Sequence, residues 1–493
     1  MVDHYFYNMV NPEEMETLEY IPTFPKFLST IEERYNTYEA ISDKTTTYTY
    51  GELAKRVRRR IAFLDAQGIK KGANIAVMAR NDLDAMELFL AIPAAGYTVV
   101  MLPNALNDVA LTNISKKFEL AGMFVAKEFQ PLTKELTCKI FDSKEIAQEE
   151  GKYADVKKET VAAIFFTGGT TGAPKGAVLT HGAIMRGSFN GVFQPGNTLH
   201  RRYIAMLPLS HIFGAVRGYM SCLYTGSIVY TCADMRAAIG DIPVVRPTTL
   251  ILVPGLVEII LNIAAMKGQA FLGDLESIMC GAAPVPPKLM AKAASYGINL
   301  CAGYGLTECA NLTAGNCDTD KKPNSMGAIY PEQEVKVVDG ELWIKGDNVM
   351  VGYYNDPEKT AEVFENGWFK TGDLVEFDED GFIYITGRIK NLIILSNGEN
   401  VSPEEIEELF YKEQLVKDCL VKEMEVNGNT VIGIEILPDM TGVSASDEEL
   451  AKLLQEMIDR VNQTLPPFKR VMKFEVRKED FKRSGAMKIL RNQ

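Results

Sequence analysis

The 493-residue chain has only four histidines, eight cysteines with no CxxC pair, and no cationic excess, with 52 Lys and Arg against 65 Asp and Glu. Each shortage removes a class of function. The net charge of −13 argues against broad nucleic-acid binding, which wants a basic face. Any polyanionic ligand must therefore be held by local groups against the overall field. Cys301, Cys309 and Cys317 recur every eight residues with no histidine nearby, which speaks against a zinc site. The cysteines read as structural, reduced thiols of a cytosolic protein. The N-terminus, MVDHYFYNMV, has neither the basic nor the apolar stretch of a secretory signal. The most membrane-like segment, 250–266, is interrupted by Pro254, Gly255, Glu258 and Asn262, and so predicts a buried segment with a helix, not a span. A cytoplasmic protein without stable membrane insertion is expected.

What is present is an αβ texture. The length exceeds one hydrophobic core, so two or more domains are expected. Thr49-x-x-Glu52 forms a capping box that opens a helix running towards Gly68. NIAVMAR (74–80) and YTVVMLP (97–103) read as strands around a helix at 82–96, and VAAIFF (161–166) as another strand. Such alternation predicts a parallel sheet with helices on both faces. After about residue 330, Asp339-Gly340 and Asp380-Gly381 signal hairpins of a small β-rich region, 331–387. Ser402-Pro403-Glu404-Glu405 and Ser446-x-x-Glu449 each combine helix-start signals, and Asn427-Gly428 signals another hairpin. The expected division is a large α/β N-terminal domain, 1–389, and a small α+β C-terminal domain, 390–493.

The segment TGGTTGAPKGA (167–177) follows the strand 161–166 with four glycines, three threonines and one lysine. Glycines let backbone N–H groups turn towards an anion, Thr167, Thr170 and Thr171 add hydroxyl donors, and Lys175 adds a point charge. It is not a Walker A loop, because Pro174 precedes the lysine and Gly176 follows it.

This segment resembles the signature of the adenylate-forming enzymes, a family that includes acyl-CoA synthetases, peptide-synthetase adenylation domains and luciferases. LPLSHIFG (207–214), GAAPV (281–285), GYGLTE (303–308), WFKTGDL (368–374), GRIKNLI (387–393) and RSGAMKILR (483–491) resemble its other motifs in the expected order. The resemblance implies stacked αβ subdomains, a small β-barrel-like region and a mobile C-terminal cap. It implies a two-step reaction: a carboxylate attacks the α-phosphate of ATP, releasing pyrophosphate, and a thiol then attacks the acyl carbon and expels AMP.

By that resemblance Thr167, Gly168, Gly169, Thr170, Thr171, Gly172 and Lys175 cradle the β- and γ-phosphates. Glu308, with Thr170, holds Mg²⁺, and Thr307 contacts the α-phosphate. Gly281, Ala282, Ala283, Gly303 and Gly305 belong to the nucleotide pocket, with Tyr304 against the base. Asp373 accepts the ribose hydroxyls and Arg388 adds a second contact. Lys488 stabilises charge at the α-phosphate; Lys482 is the competing cation, because Met487 stands where the commoner pattern has glycine. Lys390 matches the hinge about which the cap swings, and His211 flanks the acyl site.

The implied substrate is a fatty or aryl acid. SHIFGAVRGYM (210–220) offers no acid to pair with an ammonium, which disfavours amino acids by roughly 3–5 kcal/mol. Gly214, Ala215 and Gly218 leave room for a chain or ring, and Arg217 meets either a second carboxylate or solvent. CoA is the expected acceptor, with a separate carrier protein as the alternative. A nucleotide-sensing pseudoenzyme is a more distant one, and a homo-oligomer stays open.

Overall fold

The computed structural model describes residues 4–167, 175–232, 234–395, 399–426, 429–441, 445–483 and 489–491. Thr49 and Glu52 exchange both bonds of a capping box and start the helix Tyr50–Ala66. Its Leu53, Val57, Ile61 and Leu64 are buried, and its fully buried Arg60 bonds Glu87 of the helix Leu83–Ala94 at 3.0 Å. The strands Asn74–Met78, Thr98–Met101 and Val161–Thr167 lie beside these helices in a seven-stranded sheet. Its five central and far-edge strands run parallel; Lys175–Thr180 and Gly352–Tyr353 add an antiparallel edge.

A second sheet places Thr249–Leu252, Ser277–Cys280 and Asn299–Tyr304 parallel, then Ala314–Asn316 and Ala328–Ile329 antiparallel. The segments GAAPV and GYGLTE thus begin where two neighbouring parallel strands end, the edge of an open α/β sheet where ligands bind. The 250–266 segment is the strand Thr249–Leu252 and the helix Pro254–Lys267. Among the described residues no helix is long and apolar enough to cross a membrane. A further four-stranded sheet contains Glu39–Ser42, Thr47–Thr49, Arg202–Ile204 and Ile228–Tyr230.

From Gln333 to Arg388 five strands pair antiparallel. Asp339 and Gly340 turn the first hairpin with φ of 50° and 82°, the left-handed pair that such a tight turn requires. Beyond Arg388, Val416–Val426, Asn429–Pro438 and Lys473–Val476 form a three-stranded sheet against the helices Pro403–Phe410 and Asp447–Asn462. Asn427 and Gly428 lie outside the described residues. Here Ile406, Phe410, Val421, Ile434 and Leu454 belong to a core separate from that of the preceding residues.

Three expectations are corrected. Cys301 and Cys317 are disulfide-bonded, not free. The antiparallel register Ala302↔Asn316 sets them opposite one another, with Cα atoms 4.2 Å apart. The other six cysteines are free. Ser446 and Glu449 complete their capping box, but Ser402 does not cap its helix through its side chain. Its Oγ bonds Glu404 at 3.1 Å, while Glu405 pairs with Lys469 at 2.7 Å. Gly214 does not leave room, because an added Cβ would stand 2.2 Å from the Pro208 carbonyl oxygen.

Candidate active site

The strand Val161–Thr167 ends directly opposite the start of Lys175–Thr180, with Thr167 paired to Lys175. Gly168, Gly169, Thr170, Thr171 and Gly172 lie outside the described residues, but both flanks of the segment are thereby fixed. Lys175 Nζ sits 5.1 Å from the centre of the Tyr353 ring. Tyr353 donates its hydroxyl to Glu308 Oε1 at 2.8 Å. Burial, then the Glu308 charge, push the Tyr353 phenol far above its ordinary range, so it stays a donor. A cation, an aromatic ring and a carboxylate from three distant segments thus stand in line. Tyr353 was not found in the sequence; the strand pair Tyr353↔Ala177 brings it there, and no local signal announces that pairing.

Glu308 shares a single turn, Thr307–Cys309, with Thr307. Close backbone approach holds this turn in place. A Cβ on Gly305 would lie 1.1 Å from the Asn311 carbonyl oxygen, so only glycine lets 305 cross 311. Ala310 and Asn311 take left-handed φ of 48° and 83° to close the loop.

The neighbouring wall joins three motifs at Gly281. A Cβ there would come 3.1 Å from the Gly303 carbonyl oxygen and 3.4 Å from the Phe213 ring. Ala282, with φ of 68°, turns the chain away, and Ala283 is half-buried beside it. Tyr304 donates its hydroxyl to Asp373 Oδ2 at 2.6 Å. Asp373, 1% exposed, faces Arg388 directly across two antiparallel strands. Arg388 Nη2 bonds Oδ2 at 3.2 Å, and Nε bonds Oδ1. Burial and the Asp373 charge raise the Tyr304 phenol well above its usual value. Burial and the Arg388 cation lower the Lys390 ammonium, while Asp373 and Glu308 oppose them. Lys390 therefore belongs to the same electrostatic neighbourhood.

His211 precedes a rare wide helix, the π-helix Phe213–Met220. Its Nδ1 accepts the Phe213 N–H at 3.2 Å, and burial lowers its basicity, so the ring is neutral at pH 7. Lys488 lies outside the described residues. Its flanks are anchored: Arg483 bonds Asp418, Arg491 bonds Glu407 at 2.7 Å and Glu404 at 3.0 Å, and Arg483 bridges Ile489.

Among the described residues no cluster of three His, Cys, Asp or Glu side chains could cage a metal. One carboxylate, Glu308, held in orientation by Tyr353, fits a Mg²⁺ ion that takes its other ligands from phosphate oxygens and water.

The profile of the AMP-binding enzymes matches residues 29–354, and that of the AMP-binding enzyme C-terminal domain matches residues 390–493. The chain belongs to the AMP-binding enzyme family. Among its relatives, the feruloyl-CoA synthase of Amycolatopsis sp is 30% identical over 78% of this chain and 82% of its own length. The long-chain-fatty-acid–CoA ligase of Bacillus subtilis is 26% identical over 96% and 94%. Among solved structures, the o-succinylbenzoate CoA synthetase of Bacillus subtilis with its acyl-adenylate superposes with a TM-score of 0.80. It is 24% identical, with 95% of this chain and 97% of that one covered. ATP-bound MatB from Rhodopseudomonas palustris gives 0.83 at 22% identity, covering 95% and 98%. These two likenesses show the fold.

Proposed function

We propose that this chain joins a carboxylic acid to CoA at the expense of ATP, forming acyl-AMP and pyrophosphate and then acyl-CoA and AMP. It is an AMP-forming acid–thiol ligase. The observation that carries the reading is the meeting of Lys175, Glu308, Tyr304, Asp373 and the Gly281 wall around one place. A carboxylate is a poor acyl donor, and adenylation turns one of its oxygens into part of a good leaving group. That step asks for anion cradling and for charge stabilisation at phosphorus.

In this reading the backbone and hydroxyls of 167–172, with Lys175, hold the β- and γ-phosphates, and Thr307 contacts the α-phosphate. Glu308 and Thr170 hold Mg²⁺, which when bound neutralises phosphate charge. Gly281, Ala282, Ala283 and Gly303 form the slot for the base with Tyr304, and Gly305 permits the turn that presents Glu308. Asp373 takes ribose hydroxyls, with Arg388 beside it. Lys488 approaches the reacting oxygens in the first step. Lys390 is the hinge between a body of residues 1–389 and a cap of residues 390–493. His211, kept neutral by burial, borders the acyl channel. The relatives' acids suggest a fatty or aryl substrate, and a reaction that draws on ATP and CoA suits the cytoplasm.

ATP–pyrophosphate exchange with a panel of fatty and aryl acids tests the first step, and mass spectrometry of thioesters after adding CoA tests the second. Exchange that depends on the acid, followed by an acyl-CoA, is expected. No exchange with any acid sinks the ligase reading. Exchange without AMP release on adding CoA moves the acceptor to a carrier protein.

A further inference from the structure

Asn81 stands at the elbow between the strand Asn74–Met78 and the helix Leu83–Ala94, at the edge of the large sheet where its parallel strands end. Asp82 caps that helix by accepting the Ala85 N–H at 2.8 Å, which steadies the elbow. From there the Asn81 side chain reaches one distant segment. Its Nδ2 donates to the Ala205 carbonyl at 3.1 Å and to the Leu207 carbonyl at 2.7 Å, and its Oδ1 accepts the Leu209 N–H at 3.0 Å. The opposite amide orientation would set Oδ1 against two carbonyl oxygens, so the partners themselves fix the orientation.

These bonds replace a missing strand. Arg202–Ile204 pairs with Ile228–Tyr230, and that pairing closes with the Ala205 N–H on the Tyr230 carbonyl at 2.8 Å. Ala205, Leu207 and Leu209 are buried, so their backbone polar groups need partners. The Asn81 amide meets alternate residues, as a neighbouring strand would. On its other side the same segment touches the π-helix Phe213–Met220: a Cβ on Gly214 would stand 2.2 Å from the Pro208 carbonyl oxygen and 2.9 Å from that of Leu207. The His211 N–H closes a turn on the Pro208 carbonyl at 3.0 Å. The Phe213 ring lies 3.4 Å from a Cβ on Gly281. Segment 205–209 is thus clamped between Asn81 and Gly214, and a slip of it passes to His211 and to the Phe213 ring on the Gly281 wall.

We infer that Asn81 is a positioning residue for the acyl side of the site: its amide sets the register of 205–209 and so the place of His211 and Phe213. This rests on the ligase reading. The phosphate and ribose groups are held separately, Lys175 by its strand pair, Glu308 by Tyr353 and Asp373 by Tyr304 and Arg388. Loss of Asn81 should therefore disturb the use of the acid and spare the nucleotide.

The test is ATP–pyrophosphate exchange with straight-chain acids from butanoate to dodecanoate, and with benzoate and cinnamate. Asn81→Ala should lower kcat/KM for the best acid by about 10–100-fold, with the KM for the acid raised and the KM for ATP unchanged. The ratio between the best acid and its poorest neighbour in the series should shrink, because the wall that discriminates them has moved. As a readout apart from turnover, AMP should raise the thermal midpoint of the variant as it does that of the wild type. Asn81→Asp keeps the acceptor for Leu209 but sets a carboxylate oxygen against two carbonyls. Its deficit should be at least as large at pH 8 and should shrink at pH 6, where protonation restores an O–H donor, while that of Asn81→Ala stays constant. Should Asn81→Ala fail to fold, Asn81→Asp decides through the same ratio and its pH dependence. A loss equal for every acid with the acid KM unchanged, or a matching rise in the KM for ATP, overturns the inference while leaving the ligase intact. No exchange with any acid in the wild type defeats both.

Discussion

Replacing Gly305 by alanine should disable the site through geometry alone. The new methyl carbon would sit 1.1 Å from the Asn311 carbonyl oxygen and 2.3 Å from its carbon. Reaching ordinary contact requires the two strands of the loop to part by roughly 2 Å, since apolar contacts settle near 3.5–4 Å. The loop has little slack, because Ala310 and Asn311 already occupy left-handed φ. Thr307 and Glu308 ride on it, and Glu308 is tied to Tyr353. A displacement of about 1 Å of a positioned group can cost about 100-fold in rate, so exchange should fall by at least that factor. Overpacking should also cost about 1–3 kcal/mol of stability. The assays are ATP–pyrophosphate exchange and urea unfolding. Gly240→Ala is the control: no atom stands within 4 Å of its added Cβ, and the residue lies in the helix Met235–Val245. The control should match or slightly exceed wild-type stability. Wild-type exchange in Gly305→Ala would refute the packing account.

Lys488→Ala should lower adenylation by roughly 10²–10³-fold while thiolation of supplied acyl-adenylate largely survives; undiminished pyrophosphate exchange would remove Lys488 from the first step. Lys390→Pro locks φ at the proposed hinge and should impair thiolation more than adenylation, whereas equal loss in both would count against a hinge there. Acid should destabilise the protein through His181. Burial pushes this imidazole down to about 4, and its Nδ1 accepts the Phe24 N–H. The folded state thus keeps it neutral while the unfolded chain binds a proton. The stability it contributes is whole above pH 6.5 and is lost as pH falls towards 4, by about 2 kcal/mol between pH 7 and pH 5. Urea midpoints at the two pH values should differ less in His181→Gln, and an unchanged difference would discard the assignment.

Local signals read from the sequence succeeded where the structure kept them local. Thr49 with Glu52, and Ser446 with Glu449, close their boxes because both partners lie within one turn. Ser402 has the same letters, but its side chain packs against Gly387, where an added Cβ would stand 2.2 Å from Oγ. A tertiary neighbour overrides the cap. The Cys301–Cys317 bond is equally invisible along the chain, since strand register and not spacing brings the sulfurs together. In the site, Gly281 and Gly305 were legible because close backbone approach forces a glycine into a motif. Tyr353, Asn81 and the burial of Arg217 were not, because each depends on what a distant segment supplies.

Asp373 is already busy in this structure. Three donors, two from Arg388 and one from Tyr304, share a carboxylate that has about four lone-pair positions to offer. A sugar arriving with one hydroxyl can use the vacancy, but a second hydroxyl must evict a resident. If Asp373 is the sugar's anchor, nucleotide entry is a trade rather than an addition. The advantage of ribose over a deoxy sugar then shrinks to the difference between the bond gained and the bond surrendered.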